Sequence, residues 1–473
     1  MKHLLISATL FASVTFAGGV TVRFDPSTPA VGPYPTNALT VADAAQLTGR
    51  RINLPLPDCA AEPSTCAELN NVNQLDGFSI RPRIRVRFSG PIDPNTLVKG
   101  IFLVPLGGPA KPGYGAQYGT PIPINTVMYD PKTDTAYAEP DQVLDQGARY
   151  ALIVTGGVRD LAGDPVQADP ALINSHWQAG DYFDELWVAL WPLAFTNRFH
   201  PDWIAGASVF TTLSATSWME KARAAIQSSP INLSVNSPNG GFRTSQLSGI
   251  TLHAQTGLKP VAFKDIDTWP VDDLAGVDQI AFGSYTSPQF LSGGLFIPAK
   301  PTAADVPLPA ASAKIFFHAY LPPGPAPSQG YPVVIVGHGY PDGRFRQPPS
   351  IASSLASAGF ASIAIDAVGH GYGPQSTLLI NSKDGTTTEL PAAGRGVDFD
   401  GNGKLDQGEG CYLYAGSQVI IGRDCWRQTA LDLMQLVRAI KAGMDLTGSG
   451  RPELDGSRIF YVATPWVPIT VRF

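Results

Sequence analysis

Six stretches between Ala313 and Val462 alternate between two hydrophobic periods, and that alternation leaves the C-terminal half few folds to choose from. "AKIFFHAYL" (313–321) and "GYPVVIVGHG" (330–339) are strand-like, and the second is apolar enough to be buried on both faces. "SIASSLASAGF" (350–360) has a helical pattern with Gly359 as its C-cap. "ASIAIDAVGHG" (361–371) is a third strand, "CWRQTALDLMQLVRAIKAG" (425–443) a long helix and "SRIFYV" (457–462) a fourth strand. Within the long helix Leu433, Leu436, Val437 and Ile440 share one face. Strands alternating with helices predict a parallel sheet with right-handed crossovers, in a domain over 233–473.

The first part of the chain follows other rules. Residues 18–168 are rich in turns, and Gly 48 and Pro 43 among 473 residues favour β structure over helix bundles. Ile84, Val86 and Phe88 alternate with Arg83, Arg85 and Arg87, the period of a half-buried strand. Another strand is expected over 150–155, before the turn "DLAGDPV". Residues 169–232 read as a helical connector. There Ser217 is the N-cap of a helix with Glu220 three residues on, and the run "DYFDELWVALWPLAF" reads as core.

Charge and cysteine content narrow the setting. The net charge is −6 and no run of five basic residues occurs, so nucleic acid is not an expected partner. "MKHLLISATLFASVTFAGG" has a weakly positive start, a short apolar stretch and small residues near Ala17. This predicts a signal peptide over 1–17 and a secreted, periplasmic or cell-surface protein with no transmembrane segment. The four cysteines form two local pairs, Cys59 with Cys66 and Cys411 with Cys425. Without C-x-x-C spacing or a nearby His they read as two disulfides rather than a zinc site.

Two motifs carry chemistry. "VVIVGHGYPDGRF" ends a buried strand at His338 and Gly339, a place where acyl-transfer enzymes offer a backbone N–H to an oxyanion. Gly339 allows the turn, Pro341 has no N–H, and Tyr340 supplies the donor. "DFDGNGKLDQGE" sets Asp398, Asp400, Asn402, Lys404, Asp406 and Glu409 at positions one, three, five, seven, nine and twelve of an EF-hand-type loop. Gly403 stands at the sixth position, and Lys404 would contribute only its carbonyl. Oxygen ligands of this kind point to a structural Ca²⁺ ion. "DLTGSGRPELDG" from Asp445 has a similar rhythm but reads as a turn.

The stretch from Gly77 to Gln167 resembles the Ig-like sandwich domains of bacterial secreted proteins, on "F-S-x-P-I-D-P-x-T-L" and "Y-x-L-x-V-x-x-x-V-x-D-x-A-G-x-P". The two His-Gly turns and the strands around them resemble the α/β-hydrolase fold. With "GRRINLPLP", "WRQTALDLMQLVRAI" and "LDGSRIFYV", most of the chain resembles secreted bacterial lipases and esterases of the virulence-factor lipase type. The resemblance implies a Ser-His-Asp hydrolase acting on ester or lipid substrates. No G-x-S-x-G elbow occurs in the sequence, however, and neither His338 nor His370 follows the expected nucleophile position. One base added before codon 463 can turn the text after Val462 into Gly-His-Ser-Leu-Gly-Ala. The expectation is therefore a hydrolase sheet incomplete at its nucleophile elbow and inactive as written. The rival expectation is a non-catalytic, calcium-binding adhesion or binding protein.

Overall fold

The computed structural model describes residues 19–463, apart from 26–27, 29–30, 109–110, 113–118, 178–179, 195–202, 237–240, 293–294, 306–308, 310, 406–408 and 411–417. The expected signal peptide, the text after Ala463, Asp406 and Cys411 lie outside the described residues. The chain divides into two compact units, residues 1–217 with 301–304, and residues 218–300 with 305–473.

The first unit contains the helix α1 (Pro63–Val72) and strands β1 (Ile84–Arg87), β2 (Ile101–Gly108), β3 (Ile122–Asp130), β4 (Thr135–Pro140) and β5 (Arg149–Thr155). They are followed by helix α2 (Asp181–Ala194) and strand β6 (Ile204–Thr211). The strand order is β6-β5-β2-β3-β4-β1, with antiparallel pairs throughout. β1 shows the alternation its sequence implies, with Ile84 and Val86 buried and Arg85 and Arg87 half-buried. In β5 the apolar run is continuous because both faces are covered. Tyr150, Leu152 and Val154 enter the main core, while Ala151 and Ile153 pack with Leu186 and Leu190 of α2. β6 lies inside the stretch expected to be a helical connector. Its pairing with β5 makes it part of the sheet instead, because Ala205, Ala207 and Val209 are small or β-branched and fit between packed faces.

The second unit opens with helix α3 (Ser217–Gln227) and strand β7 (Leu233–Val235). Strands β8 (Leu247–Leu258), β9 (Val261–Asp267), β10 (Gln279–Gln289), β11 (Ala311–Leu321) and β12 (Tyr331–Gly337) follow. Then come helix α4 (Gln347–Ser357) and strands β13 (Ala361–Ile365), β14 (Thr377–Ser382) and β15 (Thr387–Pro391). Helix α5 (Gln418–Ala442) and strand β16 (Leu454–Ala463) complete it.

The main sheet has the order β7-β10-β11-β13-β12-β16. It is mixed rather than wholly parallel. β12 runs parallel to both β13 and β16, but β11 is antiparallel to β10 and β13. The reason lies in the connections. A loop over 322–330 with no helix turns the chain back between β11 and β12, whereas α4 and α5 carry it over the sheet. A separate four-stranded sheet, order β9-β8-β14-β15, was not expected from the sequence.

Helix α5 is buried on two sides. Leu433, Leu436, Val437 and Ile440 meet Phe317, Ile335 and Ile363 in one core, as their spacing implied. Burying such a side chain contributes roughly 1.5–3 kcal/mol. On another side Asp424, Gln428, Asp432 and Gln435 are buried polar groups. Gln428 accepts from the Phe290 N–H at 2.8 Å and donates to the Pro288 carbonyl at 2.9 Å. Asp432 accepts from the Ser287 hydroxyl at 2.6 Å. These bonds hold the end of β10 against the helix. Among the described residues no helix is long and apolar enough to cross a membrane.

Candidate functional site

The site is built from the two loops at the C-terminal ends of the neighbouring strands β12 and β13. β12 ends at Gly337, and His338 turns inward and is buried. Its Nε2 accepts from the Ala367 N–H at 3.0 Å, so Nδ1 carries the proton and donates to the Gly339 carbonyl at 3.0 Å. Nε2 thus ties the end of β12 to that of β13 and Nδ1 holds the turn at Gly339, so both ring nitrogens are engaged and His338 is a positioning group, not a free base. Gly339 is buried, and its N–H donates to Oε1 of Gln347, the first residue of α4. Tyr340 is half-buried, with its ring edge-on to His370 at 6.0 Å. Asp342 accepts from the Gly343 and Gln347 N–H groups at 2.8 and 3.0 Å, capping the start of α4. Burial raises the Asp342 carboxyl pKa above its ordinary value, against the pull of these bonds.

Beneath the loop lies a buried ion pair that sequence reasoning missed. The Arg344 guanidinium donates to the Asp366 carboxylate, and both side chains are 1% exposed. The Arg344 backbone N–H reaches the same carboxylate at 2.7 Å. Its Nε donates to His318 Nε2 at 3.2 Å, and the guanidinium also donates to the carbonyls of Ala392 and Ala393 at 2.7 and 3.1 Å. Burial draws the Arg344 pKa down while Asp366 opposes it. Burial, and then the Arg344 charge, hold His318 well below the usual imidazole range, so it stays a neutral acceptor. The one signal in the sequence was a strand ending in Asp366 and a loop with two arginines, Arg344 and Arg346; a single sequence does not reveal which of them pairs. A pocket beside this cluster is lined by Leu252, Ile266, Phe345, Asp342, Arg346 and Tyr372.

The loop after β13 packs backbone to backbone on residues 394–396. Gly369 N–H donates to Arg395 O at 2.9 Å, Arg395 N–H to His370 O at 2.7 Å, and Gly396 N–H to Tyr372 O at 2.7 Å. A Cβ at Gly394 would lie 1.5 Å from the Gly371 carbonyl oxygen, so only glycine permits this approach. His370 is 3% exposed. Its Nδ1 donates to the Val368 carbonyl at 3.0 Å, while Nε2 is buried with no hydrogen-bond partner. Burial, then the neighbouring His338, push its pKa down to about 4.

Residues 394–396 lead straight into the acidic loop. Asp398, Asp400 and Glu409 bring ligand oxygens within 4.8 Å of one another and could hold a metal ion. Asp398 Oδ2 accepts from the Gly403 N–H at 2.9 Å, and Gly403 has the positive φ of 82° expected at the sharp turn. Asn402 Oδ1 accepts from the Lys404 N–H at 2.7 Å, and Glu409 folds back on the N–H groups of Phe399 and Asp400 at 3.1 and 3.2 Å. The other oxygen of Asp398 is buried without any hydrogen-bond partner. A buried carboxylate oxygen is costly to leave unpaired, so the donor set fits a hard cation. The loop is stitched to the β8–β9 hairpin through Leu258 N–H to Gly403 O at 2.7 Å and Leu405 N–H to Thr256 O at 3.0 Å.

Cys59 and Cys66 form a disulfide at α1, and Cys425 is also disulfide-bonded. The Asp445 stretch is a turn organised from within: buried Glu453 accepts from the Leu446 N–H at 2.6 Å and the Ser449 hydroxyl at 2.8 Å.

Comparison with known proteins adds a family for one part of the chain. The bacterial Ig-like domain family matches residues 61–177, a span that includes the resemblance read over 77–167. The first unit therefore contains a bacterial Ig-like domain. No curated protein matches the chain in sequence. Among solved structures, the acetyl xylan esterase from Paenibacillus sp. R4 is 18% identical over 53% of this chain and 51% of its own, with a TM-score of 0.25. Acetyl xylan esterase 1 from Thermoanaerobacterium sp. JW/SL YS485 is 16% identical over 52% and 49%, with a TM-score of 0.23. The N-terminal part of the bacterial S-layer protein SbsC is 12% identical over 49% and 46%, with a TM-score of 0.17. The chain spans about half the length of each of these. The esterase neighbours are distant, and scores this low carry no argument about fold or activity.

Proposed function

We propose that the second unit is the scaffold of an exported serine ester hydrolase of the lipase or esterase kind, stabilised by a Ca²⁺ ion at Asp398, Asp400 and Glu409. The observation that carries this reading is the parallel pairing of β12 with β16, in which Gly337 lies opposite Ala463. An acyl-transfer site of the α/β-hydrolase type needs a backbone oxyanion donor after one strand and the nucleophile elbow after its neighbour. The His338–Gly339–Tyr340 turn follows β12, and codon 463 is where one added base can give Gly-His-Ser-Leu-Gly-Ala, with codons chosen to allow it. In this structure the Gly339 N–H donates to Gln347. Export is supported by the Cys59–Cys66 disulfide, which persists in oxidising compartments.

The metal acts on structure in this reading. A bound cation would offset the repulsion of the Asp398, Asp400 and Glu409 carboxylates and occupy the unpaired Asp398 oxygen. Asn402 and the Lys404 carbonyl would complete an oxygen shell, together with Asp406.

The test compares the chain as written with a version that continues past Val462 as Gly-His-Ser-Leu-Gly-Ala and on in that frame, assayed on short-chain p-nitrophenyl esters. The chain as written should show only the weak rate left when a nucleophile is missing. Turnover in the extended version, lost when its serine is replaced by alanine, is the expected result. No turnover in either version would sink the hydrolase reading and leave a calcium-binding, Ig-like binding protein.

A further inference from the structure

Outside the strand ends, the structure's most unusual feature is how the acidic loop is joined to the rest of the unit. Its entry and its exit both close on one segment, the loop over 366–373. At the entry, Gly369 and Gly396 form a parallel bridge, and four backbone bonds of 2.7–3.1 Å join 369–373 to 394–396. The same entry is pinned from below by Arg344, which donates to the Ala392 and Ala393 carbonyls, and from the side by Arg395, which donates to the buried Asp432 of α5. At the exit, Gly410 follows Glu409 directly. A Cβ there would lie 2.6 Å from both Cε1 and Nε2 of His370, so the glycine backbone is seated against the imidazole edge. That edge is the one carrying the unpartnered nitrogen. On its other sides the His370 ring meets His338 at 5.1 Å and Tyr340 at 6.0 Å.

We infer that a divalent cation held by Asp398, Asp400 and Glu409 locks the loop over 366–373 through two clamps, residues 394–396 and Gly410, and through His370 fixes the turn that carries Tyr340. His370 is a positioning residue in this scheme. The inference rests on the metal reading given above, but not on catalysis. The physical reason is linkage. The first and last acidic ligands sit at the two ends of a loop whose flanks are the clamps. Separating the clamps from 366–373 pulls those ligands apart, so the open state cannot keep the ion. An ion bound only by the closed state lowers the open population by a factor of 1 + [L]/Kd, about 100-fold at a free concentration of 100 Kd.

The experiment is amide hydrogen exchange on the full chain during titration with calcium chloride, with binding followed in parallel by calorimetry. The expected result is about 100-fold slower exchange at Gly369, Arg395 and Gly396 when free calcium reaches 100 Kd, with Leu152 and Val154 of the Ig-like unit unchanged. Gly410→Ala keeps every carboxylate. By linkage it should bind calcium more weakly than the wild type and lose most of the slowing at Gly369 and His370. Calcium binding to the wild-type chain with no change at those amides would overturn the inference and leave the metal site standing. No binding heat, with Asp398→Asn behaving like the wild type, would overturn the metal reading and the inference with it.

Discussion

Arg344 shows how much one side chain can hold. Its guanidinium and backbone reach β11 through His318, the end of β13 through Asp366, and the approach to the acidic loop through Ala392 and Ala393. Breaking a buried pair by removing one partner leaves an uncompensated charge, which typically costs about 3–5 kcal/mol. Arg344→Met should therefore lower the unfolding free energy of the second unit by that amount, measured by urea denaturation at pH 7. A loss below about 1 kcal/mol, the ordinary value for a surface pair, would mean the pair is not buried in solution. The buried histidines give a pH dependence of definite sign. His370 has its pKa depressed to about 4 from 6.5, so the unfolded chain binds its proton more readily. Stability from this group is fully present above 6.5 and is lost as pH falls from 6.5 towards 4, by about 3 kcal/mol in all. His318 acts in the same direction. Replacing His370 with Asn should flatten the fall in urea midpoint between pH 7 and 4.5; an unchanged slope would remove His370 from the account.

Helix α5 packs an apolar face and a polar face against different strands. The apolar stripe of α5 was legible because Leu433, Leu436, Val437 and Ile440 recur at helical spacing, and periodicity is a local property. The polar face was not legible. Asp424, Gln428 and Asp432 look like a solvated side until β10 is placed against them, since their partners at Ser287, Pro288 and Phe290 lie more than a hundred residues away. Two substitutions separate the faces. Leu436→Ala should cost about 2–5 kcal/mol by leaving a cavity. Gln428→Ala should cost about 1–3 kcal/mol by leaving the buried Phe290 N–H without an acceptor. Equal midpoints for Gln428→Ala and the wild type in chemical denaturation would show that water reaches that face. The direction of β11 was likewise out of reach, because it depends on whether a connection crosses the sheet or merely turns back.

At the scale of the whole molecule, the unit with the Ig-like domain and the unit with the mixed sheet each have their own core. The three carboxylates that could hold a metal ion, the proposed calcium site, all belong to the second unit. Scanning calorimetry with calcium at about 100 Kd should raise the stability of that unit by about 2.7 kcal/mol and leave the melting of the Ig-like unit where it was. A shift of both transitions by equal amounts would contradict a site confined to one unit.

The sequence by itself determined the pieces that depend on neighbours along the chain. These are the Ig-like strands at Ile84 and Tyr150, the stripe of α5, the glycine turns after β12 and β13, and the spacing of Asp398, Asp400 and Glu409. Hydrophobic period, turn chemistry and ligand spacing all act within about a dozen residues. Tertiary structure alone decided that residues 204–211 join a sheet and that β11 runs antiparallel. It also decided that β8 and β14 pair although strands of the main sheet lie between them in the chain, and that the acidic loop closes on His370. Each of these depends on which distant backbone edge or buried charge is nearest in space. Desolvation then fixes the outcome, because an unpaired strand edge, carboxylate or guanidinium inside the protein must find its partner wherever the fold has placed it.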